Sequence, residues 1–292
     1  MQNQTETAPA PETYFHLGFP KVASTFFQQE VFPKLAGVQY YPKRKFKLYK
    51  QLSPAEMEGK YLFSTEKDNG LEEAVEDIVE HFPEARFILF FRRPDKWLLS
   101  RYKYHIRKHG RLRYREFFDI HSDTGMWNIF DLRYRERIER VTALSNHPPL
   151  VLTFEEFQQQ PEQFLGKLLT YIGTEFSSPV NLQKRFKPAF QPRQLTLLRQ
   201  FNRGYPFIDR RHAPKPLKKI YEKYREFLLH TLAFLFRAAP KKVLEKKPLL
   251  TPAEWDALEQ TRQAFTEDWT YCRHHYENNF AQPREQVAVA LG

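Results

Sequence analysis

Cysteine is almost missing from this chain. Cys272 is the single one among 292 residues, so no intramolecular disulfide can form and no cysteine-based zinc cluster exists. A reducing compartment fits that usage. No run of about 18 apolar residues is present, which excludes a transmembrane helix on length. The opening MQNQTETAPAPE lacks the charged-then-apolar pattern of a secretory leader. There is no internal repeat, no low-complexity tract and no evident acidic metal cluster. These absences lead to the expectation of a soluble, cytoplasmic protein that uses no metal.

Negative charge is in deficit. Against 46 Lys and Arg stand 35 Asp and Glu, a formal net charge of +11. Such a balance favours anionic partners, whether nucleic acid, an acidic membrane surface or a phosphorylated small molecule. Hydrophobic residues at 41% and aromatics at 16% supply enough burial to exclude global disorder. The length suits one large α/β domain, or a core with an appendage.

Residues 1–12 read as a disordered tail. TYFHLGF reads as a first strand, STFFQQEVFPKLA as a helix and YPKRKFKLYK as a basic, aromatic loop. KYLFS is a short second strand. Apolar residues at 71, 75, 78, 79 and 82 form one helical face. ARFILFF is a continuous apolar run of strand length, as expected of a strand buried on both faces. A long helical region follows from about Asp95. WNIFDLRYRERIERVTAL reads as an amphipathic helix, PLVLTF as a strand, and PEQFLGKLLTYIG as a helix ended by Gly173. Strand and helix alternate from 13 to 173, which predicts a parallel sheet covered by helices. Beyond 173 the sequence is basic, helical and punctuated by proline. The expected organisation is a single α/β domain over 13–292, with a core at 13–173 and a basic helical extension at 174–292.

Two segments carry chemistry. In HLGFPKVAST the chain leaves a strand, turns at Gly18 and enters a helix near Ser24. The start of a helix offers unpaired N–H groups and a positive dipole end, which suits a phosphate or sulfate. Gly18 permits close backbone approach. Ser24 and Thr25 can cap the helix and donate to an anion, and Lys21 can swing over it. A plain turn with a serine cap and a solvated lysine would use the same residues. The nucleotide-triphosphate loop G-x-x-x-x-G-K-[ST] fits poorly, because Lys21 stands three positions before Ser24 and Ala23 replaces a glycine. The second segment is ARFILFFRRPDKWLLS. Arg92 ends a buried strand, where α/β sheets bind ligands, and its planar fork suits a phosphate. Pro94 starts the next helix, and Ser100 lies eight residues beyond Arg92. Arg93 reads as a surface or helix-start charge.

Together these segments resemble the 5′-phosphosulfate loop and the 3′-phosphate motif of sulfotransferases that use 3′-phosphoadenosine-5′-phosphosulfate (PAPS). The first pattern runs G-x-P-K-x-G-[ST]-[ST], with Ala23 at the second glycine. LTFEEFQQQPEQFLGKLLTYIG is similar to a third family segment, with Phe154 where Tyr is usual. The resemblance spans about 13–173. It implies a P-loop-like three-layer α/β fold with a central parallel sheet flanked by helices. It implies PAPS as donor, PAP as product, and a hydroxyl-bearing acceptor such as a carbohydrate, a glycolipid or another amphiphilic alcohol. It assigns Gly18, Pro20, Lys21, Val22, Ala23, Ser24 and Thr25 to the donor's 5′ end, and Arg92 and Ser100 to its 3′-phosphate. Lys187 and Arg193 fall where the family has a loop over the nucleotide. Lys21 would also stabilise the leaving oxygen.

Glu66, just past KYLFS, is the candidate general base; a helix-start carboxylate or a solvated loop residue would look the same. Lys67, His105 and His109 read as surface residues. Within 216–247, basic residues flank an apolar stretch too short to span a bilayer. A helix on an anionic membrane, a lid over an amphiphilic acceptor and a core helix with basic ends all fit it. Nucleic acid is not expected as a partner. Two other classes compete with a sulfotransferase: a small-molecule kinase on a related loop fold, and a non-catalytic basic binding protein.

Overall fold

A computed structural model describes residues 11–108, 110–184, 190–204 and 249–280, together with residues 224, 227, 228, 231, 234 and 235. The chain divides into two compact units. The first holds residues up to 97, 129–186 and 262 onward; the second holds 98–128 and 187–261.

A five-stranded, wholly parallel sheet organises the first unit. Its strands are β1 (Glu12–His16), β2 (Val38–Tyr41), β3 (Lys60–Ser64), β4 (Arg86–Phe91) and β5 (Leu150–Thr153), in the order β2-β3-β1-β4-β5. In β4, five of the six residues of RFILFF are buried, as an inner strand covered on both faces requires. Helices α2 (Leu71–His81), α5 (Tyr134–Leu144), α6 (Phe154–Gln159) and α7 (Pro161–Ile172) belong to this unit. In α7 the burial falls on Phe164, Leu165, Leu168, Leu169 and Ile172, one apolar stripe, and Gly173 closes the helix in the left-handed conformation at φ 65°.

The strand order places β1 at a reversal. The chain goes from β1 outward to β2, returns through β3, then crosses to β4 on the other side. A crevice opens at the carboxyl ends of the strands at such a reversal. The loops after β1, β3 and β4 all start there.

Three local readings differ from the structure. Val38–Tyr41 is an edge strand, and Lys43–Gln51 winds as a 3-10 helix instead of a loop. A 3-10 helix repeats every three residues, so Phe46 and Tyr49 share one buried side and meet Phe15 of β1. The expected helix over 127–144 is broken: Ile129–Leu132 is 3-10, and α5 begins only at Tyr134. The carboxylate of Asp268, 134 residues away, accepts from the N–H groups of Tyr134 (2.9 Å) and Arg135 (3.0 Å), and so caps α5 from outside. Finally, the helix after the first loop is α1 (Ser24–Phe26) followed by a π turn over Phe27–Val31 and a 3-10 turn over Phe32–Lys34.

In the second unit, α3 (Pro94–Arg107) continues past Trp97, and α4 spans Tyr114–Phe117. Farther along come α8 (Pro192–Gly204) and the main part of α9 (Pro252–Ala264). Arg199 donates to the carbonyl of Leu249 at 2.6 Å, and Glu254 accepts from the N–H of Tyr114 at 3.2 Å. In the first unit α10 (Thr266–Phe280) carries the buried Trp269, Cys272 and His275. Most of 216–247 lies outside the described residues. Of the large apolar residues described there, Tyr224, Phe227, Phe234 and Leu235 are exposed and Leu228 is half-buried. Among the described residues no helix is long and apolar enough to cross a membrane.

Candidate active site

The loop after β1 is clamped from both sides. The N–H groups of Leu17 and Phe19 donate to the carbonyls of Ile88 and Phe90, at 3.0 Å each. On the other side, the N–H groups of Thr65 and Lys67 donate to the carbonyls of His16 (2.9 Å) and Gly18 (3.1 Å). The parallel ladder thus runs on past the strands, and it fixes the first loop and the Glu66 loop together. Gly18 serves this clamp: a Cβ there would stand 2.8 Å from the Phe90 nitrogen. Its role is room against β4.

Past the clamp the backbone turns sharply. Lys21 and Ala23 have φ of 72° and 64°, both left-handed, a conformation that glycine adopts freely and alanine does not. The glycine of the family pattern therefore answers a backbone demand that Ala23 meets with strain. Alternation of left- and right-handed residues aims successive N–H groups into one concavity, a nest for an anion. Pro20 has no N–H to give; its carbonyl accepts from the Trp97 indole at 2.9 Å. The Val22 side chain is buried in the core, so Val22 can offer only its backbone. Beneath the loop, Phe19 packs on Phe91, Trp97 and Tyr134, with the Arg137 guanidinium over its ring at 5.4 Å.

Arg92 reaches the same loop. It donates to the Lys21 carbonyl at 3.1 Å and lies 4.5 Å over the Phe154 ring. Burial lowers its pKa against the pull of Glu155 and Asp95. Its Nε is buried with no partner among the described residues. A buried guanidinium with an unused donor fits an anion, and this is the observation on which a phosphate of the donor fits the site. Arg93 instead gives its fork to Asp95, at 2.7 and 3.0 Å. Ser100 lies on α3, half-buried, in the second unit. Lys187 and His109 fall outside the described residues, as does the side chain of Arg193.

Glu66 stands beside the loop. Lys43 bonds its Oε2 at 2.8 Å, and the Ser24 hydroxyl is within hydrogen-bonding reach. Burial works to raise the Glu66 pKa, but these two donors outweigh it and hold the carboxyl below its ordinary value. The single proton of the Ser24 hydroxyl is shared between Glu66 and the Phe19 carbonyl, the latter 3.3 Å away. Behind Glu66, His16 Nδ1 meets Ser64 Oγ at 2.8 Å, and the Gln28 amide donates to the same oxygen at 3.1 Å. Burial pushes the His16 pKa down to about 3, so the ring is neutral at ordinary pH. Among the described residues no group of His, Cys, Asp and Glu could hold a metal ion.

Lys43, Trp97 and Arg137 were not legible as site residues. Arg137 donates to the Asp68 carbonyl at 3.2 Å, tying α5 to the loop that bears Glu66. No short-range pattern in the sequence announces any of the three.

The profile of the Sulfotransferase family matches residues 2–178, more than half of the chain. This chain belongs to that family. The matched span contains the clamped loop, Glu66 and Arg92. No curated protein matches. Similar solved structures include a sulfotransferase from Alicyclobacillus acidocaldarius, 13% identical, with a TM-score of 0.47 over 66% of this chain and 93% of that one.

Proposed function

We propose that this protein moves a sulfuryl group from PAPS to an acceptor hydroxyl by in-line displacement. One observation carries the reading: a strained anion nest, an arginine with a spare buried donor and an ionised carboxylate meet at one end of the sheet. Bound there, the donor supplies the sulfuryl group, whose bond to the 5′-phosphate breaks as the acceptor oxygen bonds to sulfur, the electron pair leaving on the phosphate oxygen.

The chain's residues do the rest. The N–H groups of Lys21, Val22, Ala23, Ser24 and Thr25, with the two hydroxyls, hold the 5′-phosphate. The Lys21 ammonium faces the oxygen that gains charge, the kind of contact whose loss costs about 10²–10³ in rate. Arg92 binds the 3′-phosphate, which selects this donor over ATP. On the strength of the motif alone, Ser100, Lys187 and Arg193 are assigned to the nucleotide as well. Glu66 takes the proton of the acceptor hydroxyl, a role worth roughly 10²–10⁴.

A thermal-shift comparison tests the donor. PAP should raise the melting temperature and ATP at equal concentration should not, and Lys21→Ala should weaken the PAP response. Stabilisation by ATP alone would favour the kinase reading.

A further inference from the structure

The 3-10 segment Lys43–Gln51 carries Lys43, Arg44, Lys45, Lys47 and Lys50, and no acidic residue occurs from 42 to 55. Five cations at such density repel one another. They are nonetheless held in place. Phe46 and Tyr49 anchor the segment to Phe15 and Phe63 of the sheet, and Lys50 pairs with Asp77 of α2. Lys43 pairs with Glu66. Arg44, Lys45 and Lys47 are exposed and have no acidic partner among the described residues. Lys67, directly after Glu66 and bound through its N–H to Gly18, likewise has none.

The place of these cations matters more than their number. Tyr41 of β2 pairs in register with Phe63 of β3, so Lys43 follows at the level of Thr65, next to Glu66. The donor's own charges, in the reading above, fall to the loops after β1 and β4. The cations on the β2 side are extra to that need, and they surround the group that receives the acceptor's proton.

We infer that the acceptor is itself an anion, a hydroxyl-bearing molecule whose carboxylate or similar group docks on Lys43–Lys47 and Lys67 and so brings its hydroxyl to Glu66. This rests on the sulfotransfer reading and narrows its acceptor class. Lys43 is half-exposed, 55% against 24% for Glu66, so its ammonium can turn toward an arriving anion while the carboxylate stays fixed.

The test uses the whole protein saturated with PAP and two probes, tetragalacturonate and its fully methyl-esterified form, which differ in charge and keep the same ring hydroxyls. Calorimetry should show the acid form binding at least tenfold more tightly than the ester, with affinity falling as salt rises. The variant R44E/K45E/K47E should lose at least tenfold. An equal charge change elsewhere, R133E/R135E/R140E at the cap and along α5, should lose less than threefold. No binding of the acid form, equal binding of the ester, or equal losses in the two variants would overturn the proposal. PAP affinity is measured first in each protein. Its retention shows that the variants are folded, and its absence in the wild type would strike the donor reading instead.

Discussion

Ala23 holds a conformation that suits it badly. At φ 64° an L side chain crowds its own carbonyl, at a cost of about 1–2 kcal/mol, and glycine would avoid that while paying about 0.5–1 kcal/mol in chain entropy. Ala23→Gly should therefore stabilise the protein by about 0.5–1 kcal/mol in urea unfolding; a loss of stability would contradict the strained loop. Lys43 makes a sharper case. The Glu66 pKa is a contest between burial, which raises it, and the Lys43 and Ser24 contacts, which lower it. Lys43→Met removes the ion pair and leaves burial in place. Carboxyl-carbon NMR should then show the Glu66 midpoint move from below the ordinary carboxylate range to above it, and an unmoved midpoint would show that Lys43 does not set the charge of Glu66. Glu66 was readable from its position after KYLFS. Lys43 was not, because its meeting with Glu66 depends on the pairing of β2 with β3.

Elements were legible where the signal was local. ARFILFF, the apolar stripe of α2 and the glycine stop of α7 each carry their reason in neighbouring residues. The start of α5 does not, since Asp268 caps it from the far end of the chain. Nor does β2, whose four residues VQYY lack a buried alternation and gain strand form by pairing on β3. The seam of β1, β3 and β4 also has a pH signature. His16 is fully buried between Phe32 and Phe90, with a folded pKa of about 3 against 6.5 unfolded. Between these values the unfolded chain binds the proton and the folded one does not. The stabilisation is complete above pH 6.5 and is lost as pH falls toward 3, at up to about 1.4 kcal/mol per pH unit for this one proton. Urea unfolding between pH 7 and 5 should show a shallower slope for His16→Gln than for the wild type. Some slope should persist, because burial also lowers His275, to about 4. Equal slopes would mean that His16 is not held neutral.

For the molecule as a whole, the +11 charge is informative once it is divided by position. In the proposed reading Arg92 and Lys21 serve the donor and the Lys43 segment the acceptor, while Arg93, Lys34 and Lys167 are taken up by carboxylates within the fold. Composition alone allowed an anionic partner of any kind; the sheet order and the ladder beyond the strands bring the loops after β1, β3 and β4 to one end of the sheet, where the proposed crevice has a basic residue on each side. The central claim is that this crevice holds PAPS, and its most direct test is calorimetric titration of PAP into the wild type and Arg92→Ala. Charge-assisted bonds of this kind are worth about 1.5–3 kcal/mol. The account predicts micromolar binding by the wild type and at least a tenfold loss in the variant. A folded wild-type protein that does not bind PAP, or an Arg92→Ala variant that binds it equally well, would contradict it.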